Sequence, residues 1–314
     1  MIVVRFSLLL LLCTVVWTTS ASQQQQQQTN NSKNLPAFQF PEFPKQEKPI
    51  MRAWFCDGLT QRNLVDNLRQ ANIVKSAAVQ ATMEVVDRQF YVPDKRNPYA
   101  DSPQAILKSQ TISAPHMHAY ALEEVLPHLL QRQKEILQSG DTSQAIKILD
   151  VGCGSGFLTA CFGRWFKPPV GTAAVDQDPP TFTVKGKVFG MDIHNELVSL
   201  TRKNMEKADK DLLDDGIVQL RVGNGWKGWP EEAPFDAIHV GAAAASVPMD
   251  LVQQLLAPHG VLIVPVGAQN SVQKLLKIQR QVESPKFSPD DFSVHELLQV
   301  RYVPLVQRPE NLRP

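Results

Sequence analysis

The segment Ile148-Leu-Asp-Val-Gly-Cys-Gly-Ser-Gly-Phe157 places three glycines, Gly152, Gly154 and Gly156, between an apolar run and a helix-forming stretch. Glycine lets a chain turn tightly and approach a ligand with no Cβ in the way. A dinucleotide loop reads GxGxxG, with a pyrophosphate resting on the helix N-terminus. Here the third position of that pattern falls on Phe157 or Thr159, and the spacing is GxGxG with Asp150 two residues upstream. This arrangement suits S-adenosylmethionine, whose ammonium an acid beside the loop can balance and whose carboxylate the loop amides can receive. A plain glycine-rich turn is the alternative.

An acid closing the next strand can accept hydrogen bonds from ribose hydroxyls, and nucleotide folds place it about 20 residues on. Asp192, ending Val188-Phe-Gly-Met-Asp, follows Asp150 by 42 residues. The excess lies in a 168–186 insert containing Pro179-Pro180, and a surface loop grows at small entropic cost because closure scales logarithmically. Asp176 and Asp178 compete on pattern, but neither follows a strand-like run, which favours Asp192. At a third strand end, Arg221-Val-Gly-Asn-Gly225 offers the Oδ1 of Asn224 to an adenine amino group; an Asn-Gly turn is the alternative. His116 and His118 form an HxH with no carboxylate or cysteine at ligand spacing, so no metal site is expected. His239, inside Ala237-Ile-His-Val, reads as a hydrogen-bonded core residue ahead of a catalyst. Trp226 and Trp229 flank a Gly/Pro loop and fit either a peptide-facing rim or the core.

These residues need a scaffold of alternating strands and helices. From Ala145 on, β-rich runs (146–152, 187–193, 217–222, 235–240, 260–267) alternate with helical stretches (157–166, 195–207, 248–256). Fully apolar strands such as Val261-Leu-Ile-Val predict an α/β fold, a buried and mostly parallel sheet with helices on both faces. Two late runs, 272–280 and 292–306, are expected to close it as antiparallel edge strands. Upstream, apolar residues recur at helical spacing over 59–71, 75–87 and 116–138, which predicts an N-terminal helical cap. No internal repeat is present.

The chain has 314 residues, 43% hydrophobic and 20% charged, with net charge +1. That composition excludes a disordered, collagen-like or polytopic membrane chain. The balanced charge argues against nucleic-acid binding by phosphate neutralisation, and four cysteines without a CxxC pair argue against a disulfide or zinc scaffold. Arg5 precedes an apolar run from Phe6 to Trp17, short of the roughly 20 residues of a membrane span but within the range of a signal-peptide core. Residues 1–21 are expected to be a signal peptide, with an uncleaved anchor or a chance run as alternatives. Residues 22–50, with Gln23–Gln28 and spaced prolines, read as a low-complexity linker or, less simply, a docking peptide. The folded unit is then 51–314: cap and ligand segment to 144, α/β core beyond. The leader points to the secretory pathway, and a start at Met51 would give a cytoplasmic form.

Three further blocks are long and idiosyncratic: Gln110-Thr-Ile-Ser-Ala-Pro-His-Met-His-Ala119, Glu232-Ala-Pro-Phe-Asp-Ala-Ile-His-Val-Gly-Ala242 and Val261-Leu-Ile-Val-Pro-Val-Gly267. With the glycine loop they resemble the protein L-isoaspartate (D-aspartate) O-methyltransferase family from about Met51 to Pro304. The resemblance implies the class I S-adenosylmethionine-dependent methyltransferase fold, Rossmann-like. It also implies methylation of the free α-carboxyl of L-isoaspartyl and D-aspartyl residues in damaged proteins, followed by collapse to a succinimide and partial return to aspartate. Matched residue by residue, the active-site serine falls on Ser113, and cofactor contacts fall on Gln110, Thr111, Ile112, Ser113, His118, Ser155, Asp192, Ile193, Asn224 and Gly225, joining Asp150 and the three glycines. The partners implied are proteins and peptides carrying isoaspartyl residues, with no nucleic acid, metal or stable membrane span, and the enzyme is expected to be a monomer.

The match has departures. The family usually carries an acid where Asn224 stands and a serine at Cys153. Val306 and Asn311 occupy the place of C-terminal cofactor contacts, but Val306 offers no hydroxyl, so that region is left out of the expected site. Ser113 is also placed to cap the helix after Pro115, a role compatible with the first. Another class I methyltransferase acting on a small molecule or a protein carboxylate, or a non-catalytic relative such as a ubiquitin-ligase adaptor, are the competing readings.

Overall fold

Thr60 and Ser76 each accept a hydrogen bond from the backbone three residues on, and so start the first two helices, α1 (Gln61–Gln70) and α2 (Ala77–Val85). The computed structural model describes residues 56–168, 182–256, 258–282 and 288–307; the leader, the linker, Asn311 and most of the insert lie outside them. Leu64, Val65 and Leu68 of α1 meet Ala78, Val79 and Met83 of α2 in one core. A short antiparallel pair follows, β1 (Gln104–Ala105) with β2 (Thr111–Ile112). It turns through Lys108 and Ser109, both at positive φ, and Lys108 is tied to Glu196 at 2.5 Å. The long helix α3 (Pro115–Ser139) begins with proline at its first position and ends on Gly140 at φ +69°.

The remaining strands form one sheet: β3 (Ala145–Val151), β4 (Lys185–Asp192), β5 (Val218–Val222), β6 (Ala237–Val240), β7 (Val261–Val266), β8 (Gln273–Arg280) and β9 (Phe292–Val300). Their order is β5-β4-β3-β6-β7-β8-β9. The first five are parallel and the last two antiparallel. Helices α4 (Phe157–Phe166), α5 (Asn195–Ala208), α6 (Lys210–Asp214) and α7 (Met249–Gln253) supply the crossovers. All four residues of β6 are buried, as expected of a strand covered on both faces. The chain winds outward from β3 through β4 and β5, then returns to lay β6 on the other side. That reversal leaves a crevice above the carboxyl ends of the strands.

The α/β class, the helical cap and the antiparallel edge therefore match expectation. Four details differ. β4 begins at Lys185, inside the expected insert, because it pairs with β3 along seven residues. The last helix covers only Met249–Gln253. The pair β1–β2 and the helix α6 have no counterpart in the periodicity reading. The final extended run stops as a strand at Val300, and 301–307 leave the sheet edge. Among the described residues no helix is long and apolar enough to cross a membrane.

Candidate active site

At the end of β3 the chain enters Gly152 at φ +80°, Gly154 at +58° and Gly156 at +94°, a region that side chains other than glycine rarely occupy. A Cβ on Gly156 would also lie 2.7 Å from Thr201 Cγ2. The loop is pinned to its neighbours: the amides of Gly152 and Cys153 donate to Met191 O at 2.8 and 3.0 Å, and Gly241 N donates to Val151 O at 2.8 Å. Asp192 ends β4 beside it, accepting from Gly154 N (3.3 Å) and His194 N (3.1 Å). Burial pushes the Asp192 carboxyl above its usual pKa, against these backbone N–H bonds. Ser155 is buried, and its hydroxyl has no partner among the described residues.

Loop and Asp192 head a narrow, partly open cleft. Of the expected residues, Gln110, Thr111, Gly152, Gly154, Asp192, Ile193 and Gly225 line it. Ile112 is packed into the core instead. Asn224 stands beside the lining Gly225 with its Oδ1 accepting from Trp226 N at 3.0 Å, so the Asn-Gly turn is real. Asp150 lies under the loop and offers no oxygen to the cleft. Its Oδ2 accepts from the Thr159 hydroxyl at 2.6 Å and its Oδ1 lies 2.9 Å from His239 Nδ1, which makes His239 the hydrogen-bonded core residue expected. Trp229 is buried, and Trp226 donates its indole N–H to Leu305 O at 3.0 Å.

The opposite wall of the cleft comes from a segment outside the expected site. Val303, Pro304, Leu305 and Val306 line the cleft, held across it by Ala243 N to Val303 O and Leu305 N to Ala243 O, both 2.7 Å. Val306 offers no hydroxyl, and what the segment brings to the cleft is backbone and apolar surface. Ile106, Val151, Met191, His194, Leu197, Gly241 and Ala242 complete the lining. A larger open hollow lies at the other ends of the strands around Lys147 and Lys187 and holds none of the expected residues.

Ser113 does not cap α3: the N-cap is Ala114, with no side-chain bond. Its carbonyl accepts from Arg88 Nη2 at 2.8 Å. His118 is buried, with Nδ1 3.5 Å from Arg88 Nη1 and its ring 5.1 Å from that of Phe157. Burial, then the neighbouring Arg88 charge, hold His118 well below the usual histidine pKa, so it is neutral at pH 7. His116 sits 2.8 Å from Asp101, a carboxylate 15 residues upstream that ligand spacing does not reveal. No group of three His, Cys, Asp or Glu residues able to hold a metal occurs among the described residues.

Comparison with known proteins matches residues 59–310 to the family model of Protein-L-isoaspartate(D-aspartate) O-methyltransferase (PCMT). A protein-L-isoaspartate O-methyltransferase of Triticum aestivum is 37% identical over 266 residues, 84% of this chain and 99% of its own. Protein-L-isoaspartate O-methyltransferase 1 of Arabidopsis thaliana is 39% identical over 251 residues, 80% and 93% respectively. Among solved structures, a Plasmodium falciparum beta-aspartate methyltransferase of the PCMT class, in complex with S-adenosyl-L-homocysteine, superposes with a TM-score of 0.61 at 28% identity, covering 80% of this chain and all of that one.

Proposed function

The chain belongs to the protein-L-isoaspartate (D-aspartate) O-methyltransferase family, and on that premise we propose that its cofactor lies in the cleft between the glycine loop, Asp192 and residues 303–306, with Ser113 at the methyl-acceptor end. It is an S-adenosylmethionine-dependent repair enzyme that methylates the free α-carboxyl of isoaspartyl residues. The observation that carries the placement is the carboxylate of Asp192 set against the Gly154 amide at the head of a cleft walled by Gln110 and Thr111.

The residues fit that cofactor. Gly152 and Gly154 leave the approach to the loop free of side chains, and the buried Ser155 hydroxyl still has hydrogen-bonding capacity. Asp192 accepts from the ribose hydroxyls, and Met191, Leu197 and Ile193 give an apolar seat. Asp150 acts from beneath, keeping the loop in shape through Thr159 and His239.

When bound, the cofactor supplies an electrophilic methyl group on a sulfonium. The acceptor, an α-carboxyl with an ordinary pKa of roughly 3.3–3.7, is already ionised at neutral pH. The chain therefore needs no general base, and its work is to align the reactants and exclude water, which can supply about 7–11 kcal/mol. Ser113 donates a hydrogen bond that orients the carboxylate. The nearby Arg88 guanidinium makes the local field favourable to an anion, while neutral His118 offers no competing ion pair. Transfer of labelled methyl from S-adenosylmethionine to an isoaspartyl peptide, with the normal aspartyl peptide inert, is the expected result; labelling of both peptides would refute the specificity.

Asn224→Asp keeps the turn-forming acceptor and adds charge beside the adenine end. Calorimetry should find cofactor affinity kept within about threefold or tightened, since one hydrogen bond is worth about 0.5–1.5 kcal/mol; a large loss would assign that contact elsewhere. We further propose that 51–314 works as a monomer behind a cleaved leader, 1–21, and a linker, 22–50. The apolar core of the leader and its small residues at Thr19-Ser20-Ala21 support this, and N-terminal sequencing of the endogenous protein tests it.

A further inference from the structure

Past Val300 the chain leaves the sheet edge, and residues 303–306 reach the cleft as a wall. An isolated bridge to Ala243, with the paired 2.7 Å bonds of Val303 and Leu305, ties their backbone down. Among the described residues only one side chain hydrogen-bonds to this wall. The indole N–H of Trp226 donates to Leu305 O at 3.0 Å, from 79 positions away in the chain. Indole has that one donor and no acceptor, so the bond uses all of its hydrogen-bonding capacity.

Trp226 can hold the wall because its own loop is fixed. Asn224 Oδ1 accepts from Trp226 N at 3.0 Å, and Asn224 O accepts from Lys227 N at 2.9 Å. Beyond it the loop is clamped to the body of the protein. Gln254, buried, accepts from Trp229 N and donates to Lys227 O, both at 2.8 Å. The Arg221 guanidinium lies 4.3 Å from the centroid of the Trp229 ring. Gly225 sits flush against the wall: a Cβ there would lie 3.0 Å from Leu305 Cδ1 and 2.6 Å from Val151 Cγ1. A fixed loop and a lightly tethered wall thus meet at Gly225 and Trp226.

We propose that Trp226 is a latch on the cofactor cleft, its indole holding residues 303–306 against the Gly225 loop. The wall must then let go before S-adenosylmethionine enters or S-adenosyl-L-homocysteine leaves. The inference rests on the placement of the cofactor given above. A wall secured by one bridge and one side-chain bond belongs to the low-stability end of the fold, where local opening costs least. Both partners of the latch are protein groups. A contact made equally with and without ligand shifts no binding equilibrium, but it slows passage in both directions. Trp226 is thus a positioning residue that governs exchange of cofactor for product, apart from the methyl transfer itself.

The test uses the full chain with S-adenosyl-L-homocysteine as the probe, its association and dissociation rates read by surface plasmon resonance. Phenylalanine keeps an aromatic ring and loses the donor. In Trp226→Phe both rates should rise about fivefold, the equivalent of one hydrogen bond in the opening equilibrium, while Kd stays within about twofold. Hydrogen exchange at the Ala243 and Leu305 amides, which form the bridge, should quicken by a similar factor; that of Gly241, bonded to Val151 O, should not. Unchanged rates would overturn the inference. So would faster dissociation with unchanged association, which would make Trp226 a support of the bound state alone, or quickened exchange at Gly241, which would make it a general support of the fold. Asp192→Ala separates this inference from the reading beneath it. Wild-type affinity in that variant would remove the cofactor from the cleft and the latch with it, whereas weakened binding there beside unaltered rates in Trp226→Phe would overturn the latch alone.

Discussion

Asp192→Ala is expected to weaken S-adenosylmethionine binding about 100-fold while leaving the chain folded. Asp192 is 8% exposed at the end of β4, its two oxygens already oriented by the amides of Gly154 and His194. A carboxylate so held is preorganised to accept two ribose hydroxyls, each bond to a charged group being worth about 1.5–3 kcal/mol. Losing the pair, less what water recovers, comes to roughly 3 kcal/mol, or two orders of magnitude in Kd. The pH dependence has a definite sign. Burial raises the Asp192 pKa in the free protein, and ribose recognition uses the ionised form. Affinity should therefore fall as pH drops from neutrality through that raised pKa, and Asp192→Ala should lose the dependence. Calorimetry across pH measures both; a change in Kd of less than about threefold would remove Asp192 from the ribose contact.

Ser113→Ala should lower kcat about 100-fold with cofactor affinity within about twofold. The size follows from oriented donors at reacting charges, whose removal costs about 10²–10³ in turnover. The lower end applies because the carboxylate nucleophile is already charged before reaction. Ser113 is half-buried and does not line the cleft, so on the proposed placement the two effects separate: cofactor binding would rest on the loop and Asp192, turnover on the acceptor side. Steady-state rates with an isoaspartyl peptide, beside calorimetry with S-adenosyl-L-homocysteine, distinguish them. Unchanged kcat would sink the assignment.

The parts of the site that carry chemistry at a fixed spacing are readable in the sequence. Three glycines in five residues after an apolar run admit few conformations, and Asp192 is the acid that ends such a run. The strands of the core are readable because parallel strands buried on both faces are almost unbroken in Val, Ile and Leu. Residues 303–306 are not, since Val-Pro-Leu-Val contributes a wall and two backbone bonds, neither of which has a side-chain signature. Asp101 meets His116 across irregular chain, where no periodicity connects them. The pair β1–β2 has two residues per strand, too few for an alternation to register. Asp150 stands where expected in sequence but faces Thr159 and His239, because adjacency in the chain does not say which side of a strand end a carboxylate occupies.

The wall formed by residues 303–306 has a consequence for how long the enzyme lasts. It closes a cleft whose other wall is Gln110 and Thr111, so segments from distant parts of the chain meet only when nearly all of the fold is in place, a contact of high order. A ligand seated there holds those segments together and is released when either lets go. Mass action then adds about 2.7 kcal/mol of stability at a ligand concentration 100 times Kd, a sizeable fraction of what holds a domain folded. With the cofactor in this cleft, as proposed above, the resistance of the enzyme to unfolding, and to the proteolysis that follows, would rise with the concentration of methyl donor.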